Sequence, residues 1–201
     1  PERSHALAET IAGLKEASEA LGVPVVSGNV SLYNESGGKR IPPTAMVGVV
    51  GVLEVDKRAE MGFRRPGEVL LLIGEERGEL GASEVLYLLT GKEFGHPPRL
   101  DLGREKAVQE AIRDGRGLRE VLEAIRDLIQ RGLTRTAHDV AEGGLLLALA
   151  EMTFPYGVGA TVEVREEGLE ALFGEAPSRV LFTVEKTRLQ EATLLLEERG
   201  L

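Results

Sequence analysis

Arg65-Pro66-Gly67-Glu68-Val69-Leu70-Leu71-Leu72-Ile73-Gly74 sets the class of this chain. Proline fixes φ and glycine accepts positive φ, so Pro66-Gly67 is a turn signal. Residues 68–73 (EVLLLI), apolar from Val69 on and bounded by that turn and Gly74, read as a strand. Upstream, residues 56–67 turn charged, which places a domain boundary here and predicts two regions, 1–60 and 61–201. Downstream, the Gly-rich bend 74–81 leads into a helix that starts near Ser83. Residues 104–114 and 118–131 read as two further helices. The second carries Leu118, Val121, Leu122, Ile125 and Ile129 on one face and stops at Gly132. Residues 136–140 are a short extended entry to an apolar helix over 142–152. Residues 158–164 and 179–184 are strand-like, with a short helix at 169–173 between them. Thr187-x-x-Gln190 offers a capping box for a last helix that runs to about Arg199. Strand and helix alternate, so the fold class is α/β or α+β.

The first region reads differently. Residues 4–21 are an amphipathic helix with Leu7, Ile11, Leu14 and Leu21 on one stripe, closed by Gly22 and followed by Pro24. Residues 23–27 and 45–53 are β-branched or apolar runs predicted as buried strands. Gly48 and Gly51 in the second suggest close backbone packing or a bulge. Between them Asn34-Glu35-Ser36-Gly37-Gly38 is a turn or mobile loop.

Bulk composition narrows the function classes. With 201 residues, 42% apolar and 28% charged, the chain is long and apolar enough for a packed core. The balance of 24 basic against 33 acidic side chains gives a net charge of −9, which argues against nucleic acid as partner. A small phosphate ligand remains compatible, held locally by backbone N–H groups or through a metal. There is no cysteine, which excludes disulfides and thiolate sites, and the three histidines form no H-x-x-x-H pair. The longest apolar run, 145–150, is far short of the roughly 20 residues of a membrane span, and no signal peptide is expected. The expected setting is cytoplasmic. The start at Pro1 and the end at Gly200-Leu201, directly after a predicted helix, lead to the expectation of a piece of a longer polypeptide.

Five segments are candidates for chemistry. Ser27-Gly28-Asn29-Val30-Ser31 follows a predicted strand. Gly28 permits close approach of a ligand, Asn29 offers a neutral oxygen to a hard cation, and Ser31 offers a hydroxyl; on spacing alone an ordinary turn fits as well. Arg40-Ile41-Pro42-Pro43-Thr44 is a stiff extended entry to a strand or a positioning element near a ligand. In Thr136-Ala137-His138-Asp139-Val140-Ala141-Glu142-Gly143-Gly144-Leu145, Asp139 can cap the next helix and the glycines can pack it closely. That helix N-terminus can instead receive an anion, or His138 and Asp139 can act as an acid/base pair. Gly74-x-x-x-Gly78-Glu79-Leu80-Gly81-Ala82-Ser83 lacks the G-K-[ST] ending of a Walker loop and reads as a loop with a helix cap. Arg179, after the turn Phe173-Gly174-Glu175-Ala176-Pro177-Ser178, can hold a phosphate or make a surface salt bridge.

Taken in order, P-V-V-S-G-N-V-S-L-Y-N-E (24–35), I-P-P-T (41–44), G-V-V-G (48–51), P-G-E-V-L-L-L-I-G (66–74), G-E-L-G-A-S-E (78–84), A-H-D-V-A-E-G-G-L (137–145) and F-G-E-A-P-S-R-V (173–180) resemble the synthetase subunit of phosphoribosylformylglycinamidine synthase, also called formylglycinamide ribonucleotide amidotransferase. The resemblance covers nearly the whole chain. It implies an aminoimidazole ribonucleotide synthetase-like fold, with residues 1–60 ending an N-terminal-type, ATP-handling domain and 61–201 forming a C-terminal-type α/β domain continued by further strands after Leu201. The implied reaction joins ammonia, supplied from glutamine, to formylglycinamide ribonucleotide at the expense of ATP with Mg²⁺. The implied partners are a glutaminase subunit and a small accessory subunit. Carried over by position, Gly28 contacts ATP, Asn29 ligates Mg²⁺ and Ser31 contacts the ribonucleotide. The catalytic histidines, the carboxylate metal ligands and a further ATP-contacting Asp of that family precede the position of Pro1, so the piece alone is expected to be inactive, with no catalytic residue of its own. Ala45 and Ala141 stand where the family commonly has Pro and Ser. Two other readings stay open: a non-catalytic assembly half, and another superfamily member such as aminoimidazole ribonucleotide synthetase or a small-molecule kinase. The intact S-G-N-V-S-L-Y-N speaks against the second.

Overall fold

The computed structural model describes residues 2–31, 35–41, 44–74, 78–92, 94–98, 118–164, 168–177 and 179–201. Internal contacts divide the chain into two units, Pro1–Val52 and Leu53–Leu201. Each unit follows from a different balance of local and long-range forces.

In the first unit, helix α1 spans Glu2–Leu21. Gly22 ends it at φ 65°, where its N–H donates to the Glu19 carbonyl (3.3 Å) and the Val23 N–H to the Ser18 carbonyl (3.0 Å). This pair of bonds is the Schellman closure that glycine favours, and it matches the stop expected from sequence. The strands expected at 23–27 and 45–53 do not form. Neither run finds a ladder partner among the described residues, and Val26 (91% exposed) and Val50 (96%) stand open. A strand is stable only when its backbone is paired and one face is covered, and apolar content alone supplies neither. Gly48 and Gly51 likewise meet no close neighbour, so the packing or bulge expected of them is not seen. What does pair is a short hairpin, β1 (Glu35–Ser36) against β2 (Lys39–Arg40). Its two-residue loop, Gly37 (φ 58°) and Gly38 (φ 74°), has positive φ at both positions, the turn whose twist suits a hairpin.

The second unit is built on strands β3 (Val69–Ile73), β4 (Ala137–Asp139) and β5 (Val180–Val184), in the order β3-β5-β4. Both pairings are antiparallel: Val69 faces Val184 and Ile73 faces Val180, while Ala137 faces Phe182 and Asp139 faces Val180. Helices α2 (Glu84–Thr90), α3 (Leu118–Gln130), α4 (Gly144–Thr153), α5 (Leu169–Phe173) and α6 (Leu189–Glu198) accompany the sheet. An antiparallel sheet with helices places this unit on the α+β side of the expected class. Both faces of the sheet are covered. Ile73, Phe182 and Val184 pack with Val121, Ala124 and Leu128 of α3 and with Ala192 and Leu195 of α6. Leu181 packs on the opposite face with Leu145, Ala148, Leu149 and Met152 of α4, joined by Phe63 and Val140. Residues alternate between the two faces at period two, yet both faces want apolar side chains, so β3 (VLLLI) reads as an unbroken apolar run and β5 (VLFTV) departs from one only at Thr183.

Three expectations differ from the structure in this unit. Residues 158–164 form no strand among the described residues, although Val162 and Val164 alternate at the proper period; they lack a ladder partner and stay about two-fifths exposed (39% and 40%). The capping box at Thr187 does not form, because Lys186–Arg188 wind into a 3-10 turn and shift the cap to Arg188. The Arg188 guanidinium secures this corner instead, donating to Glu191 (3.0 and 3.1 Å) and to the Gly132 carbonyl (2.9 Å). The helix over 142–152 begins two residues late, after Gly143. The helix expected at 104–114 lies outside the described residues, as do Leu32, Tyr33, Asn34, Pro42 and Pro43.

Candidate functional site

Gly28, Asn29 and Ser31 lie on the exposed stretch that follows α1. A Cβ at Gly28 would meet nothing within 4 Å, so the main chain here is open to an incoming group. The segment presents a bare backbone, a carboxamide and a hydroxyl within five residues. Chemically that set can approach a phosphate, ligate a hard cation at one position and hydrogen-bond a sugar or phosphate. No group of three or more His, Asp or Glu side chains that could hold a metal occurs among the described residues. Asn29 would therefore need carboxylate ligands from elsewhere to complete a cation site.

The second cluster, 136–145 with 173–179, is a packing junction. A Cβ at Gly78 would fall 2.2 Å from the Gly174 carbonyl carbon, and one at Gly144 would fall 2.5 Å from that of Phe173. Glycine is required where main chains touch in this way. Glu79 and Glu175 exchange two backbone hydrogen bonds, both 2.9 Å, across this contact. Gly143, at φ 75°, caps α4, and its N–H donates to Glu175 Oε1 at 3.0 Å. The positive end of α4 is thus neutralised by the chain's own carboxylate, which leaves no call for an external anion at that N–H. Asp139 does not cap the helix, because it ends β4 opposite Val180 with its side chain 74% exposed. Arg179 is only 2% exposed and donates to the Gly174 carbonyl at 2.8 Å. That burial is at odds with a surface salt bridge, and the bond to Gly174 makes Arg179 an internal tie for the turn before β5. Ser83 caps α2 as expected: its Oγ accepts from the Leu86 N–H at 3.3 Å and donates to the Leu80 carbonyl at 2.6 Å. Residues 75–77 of that loop lie outside the described residues.

His138 and Asp139 do not form an acid/base couple in an open cleft. The His138 side chain is 8% exposed, with Nδ1 2.5 Å from the main-chain oxygen of Asp139 and 3.7 Å from its carboxylate. One polar cluster escapes sequence reading altogether. The Tyr156 hydroxyl donates to Glu60, with Arg58 and Arg64 beside it. The tyrosine hydroxyl, aided by Arg64 and Arg58, holds the Glu60 carboxyl below the usual carboxylate range, and the same bond raises Tyr156 above the ordinary phenol value. Glu60 and Tyr156 are far apart in sequence and share no motif, so no local signal could have joined them.

Residues 65–201 match the model for the AIR synthase related protein C-terminal domain, and residues 1–53 match the N-terminal domain of the same family. The chain belongs to the AIR synthase related family, as its motifs indicated. It is 92% identical over all 201 residues to phosphoribosylformylglycinamidine synthase subunit PurL of Thermus thermophilus. It is 42% identical, over 213 aligned positions, to the subunit of the same name from Anaeromyxobacter. It spans 26% of the length of each of these relatives. Among solved structures, Thermotoga maritima PurL complexed with FGAR aligns with 72% of this chain and 24% of that one, at 21% identity and a TM-score of 0.50, a likeness of fold. No helix among the described residues is long and apolar enough to cross a membrane.

Proposed function

We propose that this chain contributes one wall of the active site of an ATP-dependent carbon–nitrogen ligase, phosphoribosylformylglycinamidine synthase, working in the cytoplasm. The observation that carries the reading is the open Gly28-Asn29-Val30-Ser31 segment in a chain 92% identical to the Thermus subunit. In this reading residues 1–60 belong to the ATP-handling domain and 61–201 to the C-terminal-type domain. Gly28 lets the nucleotide approach the main chain, because no Cβ stands in the way. Asn29 gives one neutral oxygen to Mg²⁺, and Ser31 hydrogen-bonds formylglycinamide ribonucleotide. These residue types fit the groups proposed for them, but the described residues supply no carboxylate set for the cation. In this reading the remaining ligands and the catalytic groups come from other parts of the enzyme. ATP with Mg²⁺ supplies the phosphoryl group that activates the substrate amide toward ammonia. The ammonia is delivered from glutamine by a glutaminase subunit, with a small accessory subunit completing the complex.

The test replaces the matching quarter of the Thermus subunit with these 201 residues. The chimera is expected to form the amidine from ammonia and ATP, whereas the chain alone is expected to form none. In the chimera, Asn29→Ala should raise the Mg²⁺ concentration for half-maximal rate by about tenfold or more, as expected for losing a contact to a charged group worth about 1.5–3 kcal/mol. An unchanged Mg²⁺ dependence in that variant, or turnover by the 201-residue chain by itself, would overturn the assignment.

A further inference from the structure

Two segments meet where α4 ends. A Cβ at Gly62 would lie 2.7 Å from the Pro155 side chain and 3.0 Å from the Tyr156 ring, so residues 58–64 and 153–157 lie directly against each other. The junction is braced by main-chain bonds and by the core. The Phe63 N–H donates to the Met152 carbonyl at 2.7 Å, and the Phe63 side chain is buried with α4. Glu60 bridges to Thr136 just before β4, and the Gly157 N–H donates to the Thr153 carbonyl at 3.0 Å. On this base Met61 (59% exposed), Phe154 (75%) and half-exposed Tyr156 stand open, with the guanidinium groups of Arg58 and Arg64 beside Tyr156's partner Glu60. Single exposed apolar residues are ordinary, but a group of Met, Phe, Tyr and Arg has the composition of a contact surface. Because it is already held in place, it loses little freedom when covered.

The charge of this surface narrows what can cover it. Arg58 and Arg64 share one carboxylate, Glu60, at 3.1 and 4.0 Å, and Tyr156 donates to the same group. Two guanidinium groups carry about ten N–H donors and one carboxylate accepts about four bonds, which leaves donors over for a second acid. The spot is thus positive on a chain of net charge −9. We propose that this platform seats another part of the longer subunit, one that presents an acidic side chain next to an apolar tip. The proposal rests on reading the chain as about a quarter of a larger polypeptide, since it aligns along its whole length with 26% of the Thermus relative. The acid pairs with Arg58 and Arg64, and the apolar tip covers Met61 and Phe154. A symmetric contact between two copies would set this basic spot against itself, which disfavours a second copy as the occupant. A segment of the same polypeptide also arrives at high effective concentration.

The Thermus chimera reads the platform in a full-length subunit. Peroxide converts open methionine to the sulfoxide, and burial protects it. Met152, 0% exposed, is the buried reference in the same molecule, and a free methionine peptide is the open one. In the chimera Met61 should lose the reactivity of the open peptide and match Met152. A photo-crosslinker in place of Phe154 should couple to a segment outside these 201 residues, with Asp or Glu near the coupled position. Arg58→Glu with Arg64→Glu should return Met61 to the open rate while Met152 keeps its own, and Arg58→Lys with Arg64→Lys should preserve the protection. Met61 oxidising at the open rate while Met152 stays protected overturns the platform, and so does a crosslink within the 201 residues or to a second copy. Amidine formation by the same chimera is measured separately. An active subunit with an open Met61 refutes the platform alone, and an inactive one with a covered Met61 refutes the functional reading alone.

Discussion

Replacing Gly144 by alanine tests whether the junction between α4 and the 173–174 turn is as tight as its geometry indicates. Gly144 sits at φ 67°, in the left-handed region, where a Cβ carries strain of about 1–3 kcal/mol. Its Cβ would also lie 2.5 Å from the Phe173 carbonyl carbon, 2.7 Å from the Phe173 Cα and 2.8 Å from the Gly174 oxygen. All three are main-chain atoms, so relief requires a backbone shift, and overpacking of this kind adds about 1–3 kcal/mol. Gly143 is the internal control. It has a similar φ of 75°, but its Cβ would meet the side-chain carbons of Leu147, the nearest at 2.5 Å. Leu147 is 43% exposed, so its Cδ2 can turn aside and only its Cβ, at 2.8 Å, stays fixed. Gly143→Ala should thus show the strain with one fixed side-chain contact, about 1–3 kcal/mol, and Gly144→Ala, pressed on three main-chain atoms, should lose about 1–3 kcal/mol more. Urea unfolding followed by circular dichroism reads both values, provided the slope of the transition is unchanged. A domain is stable by only about 5–15 kcal/mol, so the second variant should unfold at visibly lower denaturant. Equal losses in the two variants, or a milder effect at Gly144, would refute the close-approach argument.

Core and surface should separate as sharply. Leu128→Ala, at a fully buried position (0% exposed) against the sheet, should cost about 2–5 kcal/mol in the same assay, whereas Leu122→Ala, at 51% exposure, should cost under about 1 kcal/mol. Tyr156→Phe removes the bond that holds the Glu60 carboxyl low. A depressed folded-state value stabilises above the ordinary carboxylate range and is lost as pH falls through the folded value. The stability gap between the unmutated chain and Tyr156→Phe should therefore be open at neutral pH and close in acid, and a gap that does not change with pH would count against the bond.

The second unit was legible because its signals are self-contained. The α3 helix, the stop at Gly132, the Ser83 cap and the apolar runs at 69–73 and 180–184 each specify local structure, although the buried face of α3 is Val121, Ala124 and Leu128, while Leu122 of the expected stripe is exposed. What sequence did not show was contact between distant main chains. Gly144 was expected to pack its helix closely, but Gly78 and Gly174 read as ordinary loop glycines, and which main chain each would meet was not visible until the fold presses them together. Arg179 looked like a surface ligand because nothing near it in sequence announces its burial. The strands expected at 23–27 and 45–53 failed for the converse reason: apolar residues state a preference for pairing, but the ladder must come from a partner. For the candidate site, residue type and motif order singled out Gly28, Asn29 and Ser31, and the fold adds that their surroundings are open.

The order β3-β5-β4 also dictates when this sheet can assemble. Of these three strands the middle one is made last. Val69 must wait for Val184, and Ala137 for Phe182, before the ladder forms, although the Ala137 N–H also bonds the Glu60 carbonyl. During synthesis β3 and β4 therefore lack the strand that joins them, and collapse of α3 and α4 onto them is not completed until residues 180–184 emerge. Pairings this distant in sequence make for slow, topology-limited folding. A chain cut short before β5 would lose the whole sheet, because the strand that joins the two sides would be missing.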